Sequence, residues 1–287
     1  MATFGAGRRW TIGRARAALR PGSVFAVTGA AHGIGARTAA LVVARGHRAA
    51  LCDVDTEAAD SLAARLGPSA HAVPLDVRDP DAWAKALDAV FARFGGLDVL
   101  VQNAGLLHGG RLLEQSPEQL RHMADVNLFG VAHGLRAAVP RLRDQGHGHV
   151  VTVASLAAYV PLKGQAFYSA TKHAVRALHH AFALEQAGGP VTFTLVCPAN
   201  VDTALWQQQV VSDANAMSFV KPPLSPERVA EAIWRAAERR PRELLVPFGD
   251  GLGAKLMGAF PGLLAFATPR IVRSGLAKLE RLRASRS

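Results

Sequence analysis

Short apolar runs alternate with amphipathic segments along most of this chain, without a break from Ser23 to Val246. The runs at 24–28, 48–53, 70–75, 99–102, 149–154 and 191–196 have strand length and are rich in Val, Ala and Leu. They therefore read as strands buried on both faces. Between them, apolar positions recur at the helical interval after Gly35, from Thr56, near 81–94, over 117–143 and over 166–185. A less regular stretch at 204–224 precedes a helix starting near Pro226 and a last strand at 243–246. Repeated β-α-β alternation predicts an α/β fold, a doubly wound parallel sheet of about seven strands with helices on both faces. In such a sheet ligands bind at the carboxyl ends of the strands, where the winding reverses.

The pattern divides the chain into an N-terminal extension, 1–20, a single catalytic-sized unit, 21–248, and a C-terminal extension, 249–287. A hydrophobic fraction of 49% with 19% charged residues fits a folded globular chain and excludes intrinsic disorder. The net charge of +11 suggests nucleic acid until it is located. Residues 1–20 hold Arg8, Arg9, Arg14, Arg16 and Arg20 with no acid, and residues 255–287 hold seven basic residues against Glu280. The body between is formally neutral, and it carries no base-reading motif, so no nucleic-acid partner is expected. The basic C-terminal stretch also carries Leu252, Leu256, Phe260 and Phe266, a composition suited to an anionic bilayer, to the chain's own pocket or to a neighbouring subunit. No run of about twenty apolar residues is present, so no spanning helix is expected and membrane contact is at most peripheral, while two cysteines that read as unbridged fit a cytoplasmic protein. Cys52 and Cys197 fall in apolar strands and read as small core residues. The eleven histidines form no ligand set, and no metal is expected.

The chemistry-bearing motifs sit where the sheet would place a ligand. Thr28-Gly29-Ala30-Ala31-His32-Gly33-Ile34-Gly35 follows the first strand and opens the first helix, the context of a dinucleotide-binding, Rossmann-type turn. Gly29 allows the turn, Gly33 lets the backbone approach a pyrophosphate, and Gly35 lets helix and strand come close. Asp53 ends the second strand, where a carboxylate accepts ribose hydroxyls and repels a 2′-phosphate, which favours NAD over NADP. Asp55 is an alternative for that role, and a protonated His32 would tolerate phosphate. Tyr168 and Lys172 lie four apart on a helix and so point the same way, and a fixed cation beside a phenol favours the phenolate.

Together with Asn103-Ala104-Gly105 after the fourth strand, Asn127 in a helix and Ser155 after the fifth strand, these motifs resemble the short-chain dehydrogenase/reductases over residues 22–248. The resemblance implies an NAD-dependent oxidoreductase acting on alcohols and ketones. Ser155 would orient the substrate oxygen, Tyr168 exchange the proton, and Lys172 hold the nicotinamide ribose and lower the tyrosine pKa. Asn127 would position a relay water. Ala31, His32, Ile34, Asp76, Val77, Asn103, Ala104, Gly105, Pro198, Val201 and Thr203 match cofactor-contacting positions. One departure is Ala199, where the family commonly has glycine, and a shifted loop is expected because alanine adopts positive φ only at a cost.

Residues 204–224 resemble the family's substrate lid. Leu107, Leu156, Tyr159, Leu162 and Trp206 are expected to line an apolar substrate site, with Lys163 and Lys221 the nearest candidates for clamping an anionic group. A bulky apolar alcohol or ketone, steroid-like, terpenoid-like or fatty, is the expected substrate. A homodimer or homotetramer is the assembly that the resemblance implies. The alternative is a cofactor-binding sensor or scaffold of the same fold.

Overall fold

The computed structural model describes residues 19–207 and 212–284, so the basic N-terminal extension lies, up to Ala18, outside the described residues. Seven parallel strands form one sheet: β1 (Val24–Thr28), β2 (Arg48–Asp53), β3 (Ala70–Pro74), β4 (Val99–Gln102), β5 (Gly148–Val153), β6 (Val191–Pro198) and β7 (Glu243–Val246). Their order across the sheet is β3-β2-β1-β4-β5-β6-β7. The winding reverses between β1 and β4, and the crevice above their carboxyl ends is the expected ligand position.

Helices α1 (Gly33–Ala44), α2 (Thr56–Leu66), α3 (Pro80–Phe94), α4 (Pro117–Ala124), α5 (Gly130–Asp144) and α6 (Ala166–Glu185) follow the strands in turn. The short α7 (Ala204–Gln207) precedes a 3-10 helix, Asp213–Phe219, after which come α8 (Pro226–Arg239), α9 (Phe248–Ala259) and α10 (Pro261–Ala284). The two faces of β1 show why the strands lack polar alternation. Val24 and Ala26 enter a core with Trp83, Leu87 and Leu142, while Phe25 and Val27 enter another with Ala39, Ile233 and Trp234. Cys52 and Cys197 are buried and free, on β2 and β6, with three strands between them.

Beneath the sheet, a polar chain ties three elements together. Thr152 Oγ1 donates to Gln102 Oε1 at 3.1 Å, so toward His179 Nδ1, 3.0 Å away, it can only accept. The His179 proton is thereby fixed on Nδ1, and burial drops its pKa to about 3.

Three elements depart from the sequence expectation. The single helix over 117–143 is broken by a π-helical turn, Asp125–Phe129, which carries Asn127. β6 runs two residues further, because Cys197 and Pro198 pair with Leu245 and Val246. The C-terminal extension folds as α9 and α10, and α10 lies over the 3-10 helix of the lid segment.

Candidate active site

Backbone geometry builds the first wall of the site. Thr28 Oγ1, at the end of β1, accepts from both Asn103 N and Ala104 N at 3.0 Å, locking the ends of β1 and β4 together. Asn103 Nδ2 then donates to Thr28 O at 3.0 Å and Gly29 O at 3.2 Å, holding the glycine turn from behind. Gly29 has φ +64°, and a Cβ on Gly35 would collide with Gly29 O, so neither position admits a side chain. His32 makes no side-chain cap to α1, which leaves the first-turn N–H groups of that helix without a side-chain acceptor.

Asp53 braces this turn from the side. Its Oδ2 accepts from Ala31 N at 2.8 Å and its Oδ1 from Asp55 N at 3.0 Å, and each oxygen keeps a lone pair for a ligand hydroxyl. Asp55 caps α2 through Ala58 N and holds His32 Nε2 at 2.8 Å, and unlike Asp53 it does not line the cavity. Asp76 grips Arg78 with both oxygens, at 2.9 Å to Nε and 2.6 Å to Nη2, and that guanidinium holds the carboxyl below its usual range.

Ser155, Tyr168 and Lys172 form the opposite wall of the same cavity, whose volume is about 730 Å³. Ser155 Oγ accepts from Ala157 N at 3.1 Å, so its own hydrogen is left to donate. Lys172 is buried, with Nζ 5.6 Å from the centre of the Tyr168 ring. Here the structure corrects the sequence reading. Burial dominates and pushes the Tyr168 phenol up to about 12, with Ser155 pulling the other way, while burial draws the Lys172 ammonium down to about 8. Asn127 lies one step behind the wall: its Oδ1 accepts from Leu106 N, and its Nδ2 donates to Leu106 O and Thr171 Oγ1. A Cβ on Gly105 would meet both Asn127 Oδ1, at 3.2 Å, and Lys172 Nζ, at 3.4 Å, so these two groups crowd the same glycine.

Most of the expected residues line the cavity, including His32, Gly33, Ile34, Val77, Ala104, Pro198, Val201 and Thr203. Ala31 and Gly35 act behind the surface, through the bond to Asp53 and the contact with Gly29. Ala199 takes no positive φ, and its N–H donates to Val246 O at 2.7 Å, so the departure from glycine is accommodated without left-handed backbone. Leu107, Leu162 and Trp206 line the cavity, whereas Leu156 and Tyr159 do not. The 3-10 turn Leu156–Ala158 carries both into the core, and Tyr159 is flanked by Arg176, 4.3 Å from its ring centre, and Lys255, at 5.0 Å. Lys163 and Lys221 are not on the cavity surface either, and Lys221 pairs with Asp250.

The sequence reading missed Arg78, His122 and Gln165, all of which line the cavity. Gln165 had a local signal, its place just before the helix of Tyr168, but its partner, Ser218 Oγ at 2.6 Å, lies far along the chain. Asn200 Nδ2 also donates to Ser218 O at 2.6 Å, and a Cβ on Gly164 would collide with Ala214 O. These contacts set the 3-10 helix at 213–219 against Gly164, Gln165 and Asn200. Above it, Leu279 of α10 is fully buried with Trp206 and Phe219, Gly275 abuts Ala216 O, and Arg283 pairs with Asp213 at 2.8 Å. Residues 208–211 of the expected lid, 204–224, lie outside the described residues.

Every part of the first wall suits a dinucleotide: a turn with glycine at positions 29, 33 and 35, a helix start without a side-chain cap, and a carboxylate at the end of β2. Comparisons with known proteins agree with that chemistry. Residues 23–213 match the family described as short chain dehydrogenase. The chain is 35% identical over 225 residues to the 1-deoxy-11-beta-hydroxypentalenate dehydrogenase of Streptomyces avermitilis, covering 76% of this chain and 82% of that one. It is 35% identical over 184 residues to the 3-alpha-(or 20-beta)-hydroxysteroid dehydrogenase of Mycobacterium tuberculosis, covering 64% and 71%. A short chain dehydrogenase/reductase from Burkholderia phymatum, crystallised in complex with NAD, superposes with a TM-score of 0.77 at 28% identity, over 85% of this chain and 95% of that one.

Proposed function

The chain belongs to the short-chain dehydrogenase/reductase family, and from that premise we propose that it interconverts a secondary alcohol and a ketone with NAD, Tyr168 exchanging the proton. The observation that carries this reading is the meeting of Ser155, Tyr168 and Lys172 on one wall of a cavity that also holds Asp53 and the glycine turn. The nicotinamide ring, when bound, supplies or accepts the hydride. Asp53 would hold the adenosine ribose, Asp76 and Val77 the adenine end, and Lys172 the second ribose.

In the reducing direction, negative charge develops on the substrate oxygen. Ser155 accepts from Ala157 N, which leaves its hydroxyl hydrogen free to be donated to that oxygen. Tyr168, held protonated by its surroundings, gives up the phenolic proton, and the nearby Lys172 ammonium stabilises the phenolate left behind. In the oxidising direction the same phenol must first lose its proton, so oxidation gains with rising pH and reduction does not.

Leu106, Leu107, Leu162 and Trp206 support an apolar substrate. The only guanidinium among the described residues lining the cavity, Arg78, is held by Asp76. The relatives named for a hydroxysteroid and for a hydroxypentalenate are consistent with a bulky, largely hydrocarbon alcohol. Preference for NAD over NADP follows from Asp53, whose charge opposes a 2′-phosphate at the same position.

A panel of hydroxysteroids, terpenoid alcohols and long-chain secondary alcohols, assayed with NAD and with NADP from pH 6 to 10, tests the proposal. Turnover of at least one panel member is expected, and Tyr168→Phe should lower kcat by about a thousandfold while leaving NAD affinity intact. NAD binding without turnover of any member would favour a sensor or scaffold instead.

A further inference from the structure

Helix α9 and the start of α10 are inverted relative to an ordinary surface helix. The charged side chains of α9 face the protein: Asp250 pairs with Lys221 at 2.5 Å and Lys255 with Glu243 at 2.9 Å, beside the buried Gly251 and Ala254. Its apolar side chains face outward. Phe248, Leu252, Leu256 and Phe260 follow at intervals of four, and Leu263 and Phe266 carry the stripe around the corner into α10. These six side chains are 43% to 71% exposed, and they make up six of the eleven exposed large hydrophobics among the described residues. A contiguous stripe of this kind marks a contact surface.

The charge around the stripe decides between occupants. Arg270 lies over Phe266, 5.0 Å from its ring centre, and Arg273 is exposed one turn further. α10 carries five basic residues against one acid, Glu280. A second copy docked about a two-fold axis would set this basic rim against itself. An anionic lipid surface complements it, with apolar side chains in the acyl boundary and arginine heads at the phosphates. No helix among the described residues is long and apolar enough to cross a membrane, so the geometry is that of a helix pair lying on one.

We propose that the outer stripe of α9 and the first half of α10 seats the protein on an anionic bilayer surface. The inference stands independently of the substrate reading, because it rests on surface residues outside the cavity. It adds one connection: the helix that lies on the lipid also bears Leu279, which supports the lid.

Sedimentation of the full-length protein with vesicles tests it, using phosphatidylcholine alone and phosphatidylcholine with phosphatidylglycerol at about two to one. Binding to the mixed vesicles is expected to be at least about tenfold tighter than to phosphatidylcholine and to weaken in high salt. The exposed triple variant Leu252→Ser, Leu256→Ser, Phe260→Ser should lower binding by about a hundredfold, and Arg270→Gln with Arg273→Gln by about tenfold. Both should retain cofactor affinity, which reports an intact fold. Deletion of residues 2–18 removes Arg8, Arg9, Arg14 and Arg16, and the shortened protein should still bind. The proposal is overturned if the wild type stays in solution, if neither stripe variant weakens binding, or if only the deletion does. A wild type that ignores vesicles but halves in mass when the stripe is mutated would assign the face to a second copy.

Discussion

The cofactor end and the substrate end of the cavity are made rigid by different means. At the cofactor end the contacts are between backbone atoms or from short side chains to backbone: Thr28 to Asn103 and Ala104, Asn103 to Gly29, Asp53 to Ala31. At the substrate end, larger side chains add to such contacts: Asn200 reaches Ser218 O, but Gln165 reaches Ser218 Oγ, and Leu279 arrives from the last helix to cover Trp206 and Phe219. The first arrangement leaves almost no tolerance, because a backbone atom has nowhere to go. The second can loosen piece by piece, which would suit the admission and release of the proposed bulky alcohol.

Substitutions at each end separate these behaviours. Gly35→Ala puts a Cβ into Gly29 O and should cost about 3 kcal/mol at the turn, weakening NAD binding by about a hundredfold in a fluorescence titration. An unchanged affinity would show the turn to be softer than its contacts imply. Leu279→Ala opens a hole beside Trp206 and Phe219 and should raise KM for the alcohol about tenfold with NAD affinity unchanged, measured by steady-state kinetics. Should both ligands weaken together, the two ends move as one body and the contrast fails. Asp53→Asn removes the charge but keeps the shape, and the ratio of NADH to NADPH affinity should fall by about tenfold.

The smallest effect is a pH dependence of mixed sign. Lys172 has a folded pKa of about 8, below its ordinary 10.5, so between those values the unfolded chain holds the proton that the folded chain has lost. Its titration therefore stabilises the ligand-free fold as pH rises through that window, until above pH 10 the raised Tyr168 value reverses the trend. NAD affinity should move the other way, falling a few-fold above pH 8 as the ammonium is lost. Parallel denaturant melts and binding titrations at pH 7 and 9.5 check both signs.

The same contrast governs what the amino-acid sequence made legible. The strands at 24–28, 48–53 and 99–102, the glycine turn, Asp53 and the Tyr168/Lys172 pair depend on neighbours close in sequence, and pattern alone locates them. Leu156 and Tyr159 were misassigned because a three-residue turn after Ser155 rotates them into the core, a change that no periodicity records. The π-helical turn at Asn127 left no mark on the apolar pattern, and Gln165 gains meaning only through Ser218. Helices α9 and α10 were unreadable for a related reason: six glycines across the two segments, an internal Pro269 and outward apolar residues break the usual rule.

Tyr159 lies four residues from Ser155, and one of its two flanking cations, Lys255, comes from α9, where Gly258 also abuts the Tyr159 carbonyl. The family match ends at residue 213 and the sheet at Val246, yet the contacts that steady the catalytic loop continue past both. A chain trimmed after Val246 would keep Ser155, Tyr168 and Lys172 and lose the Lys255 and Gly258 contacts beside Tyr159.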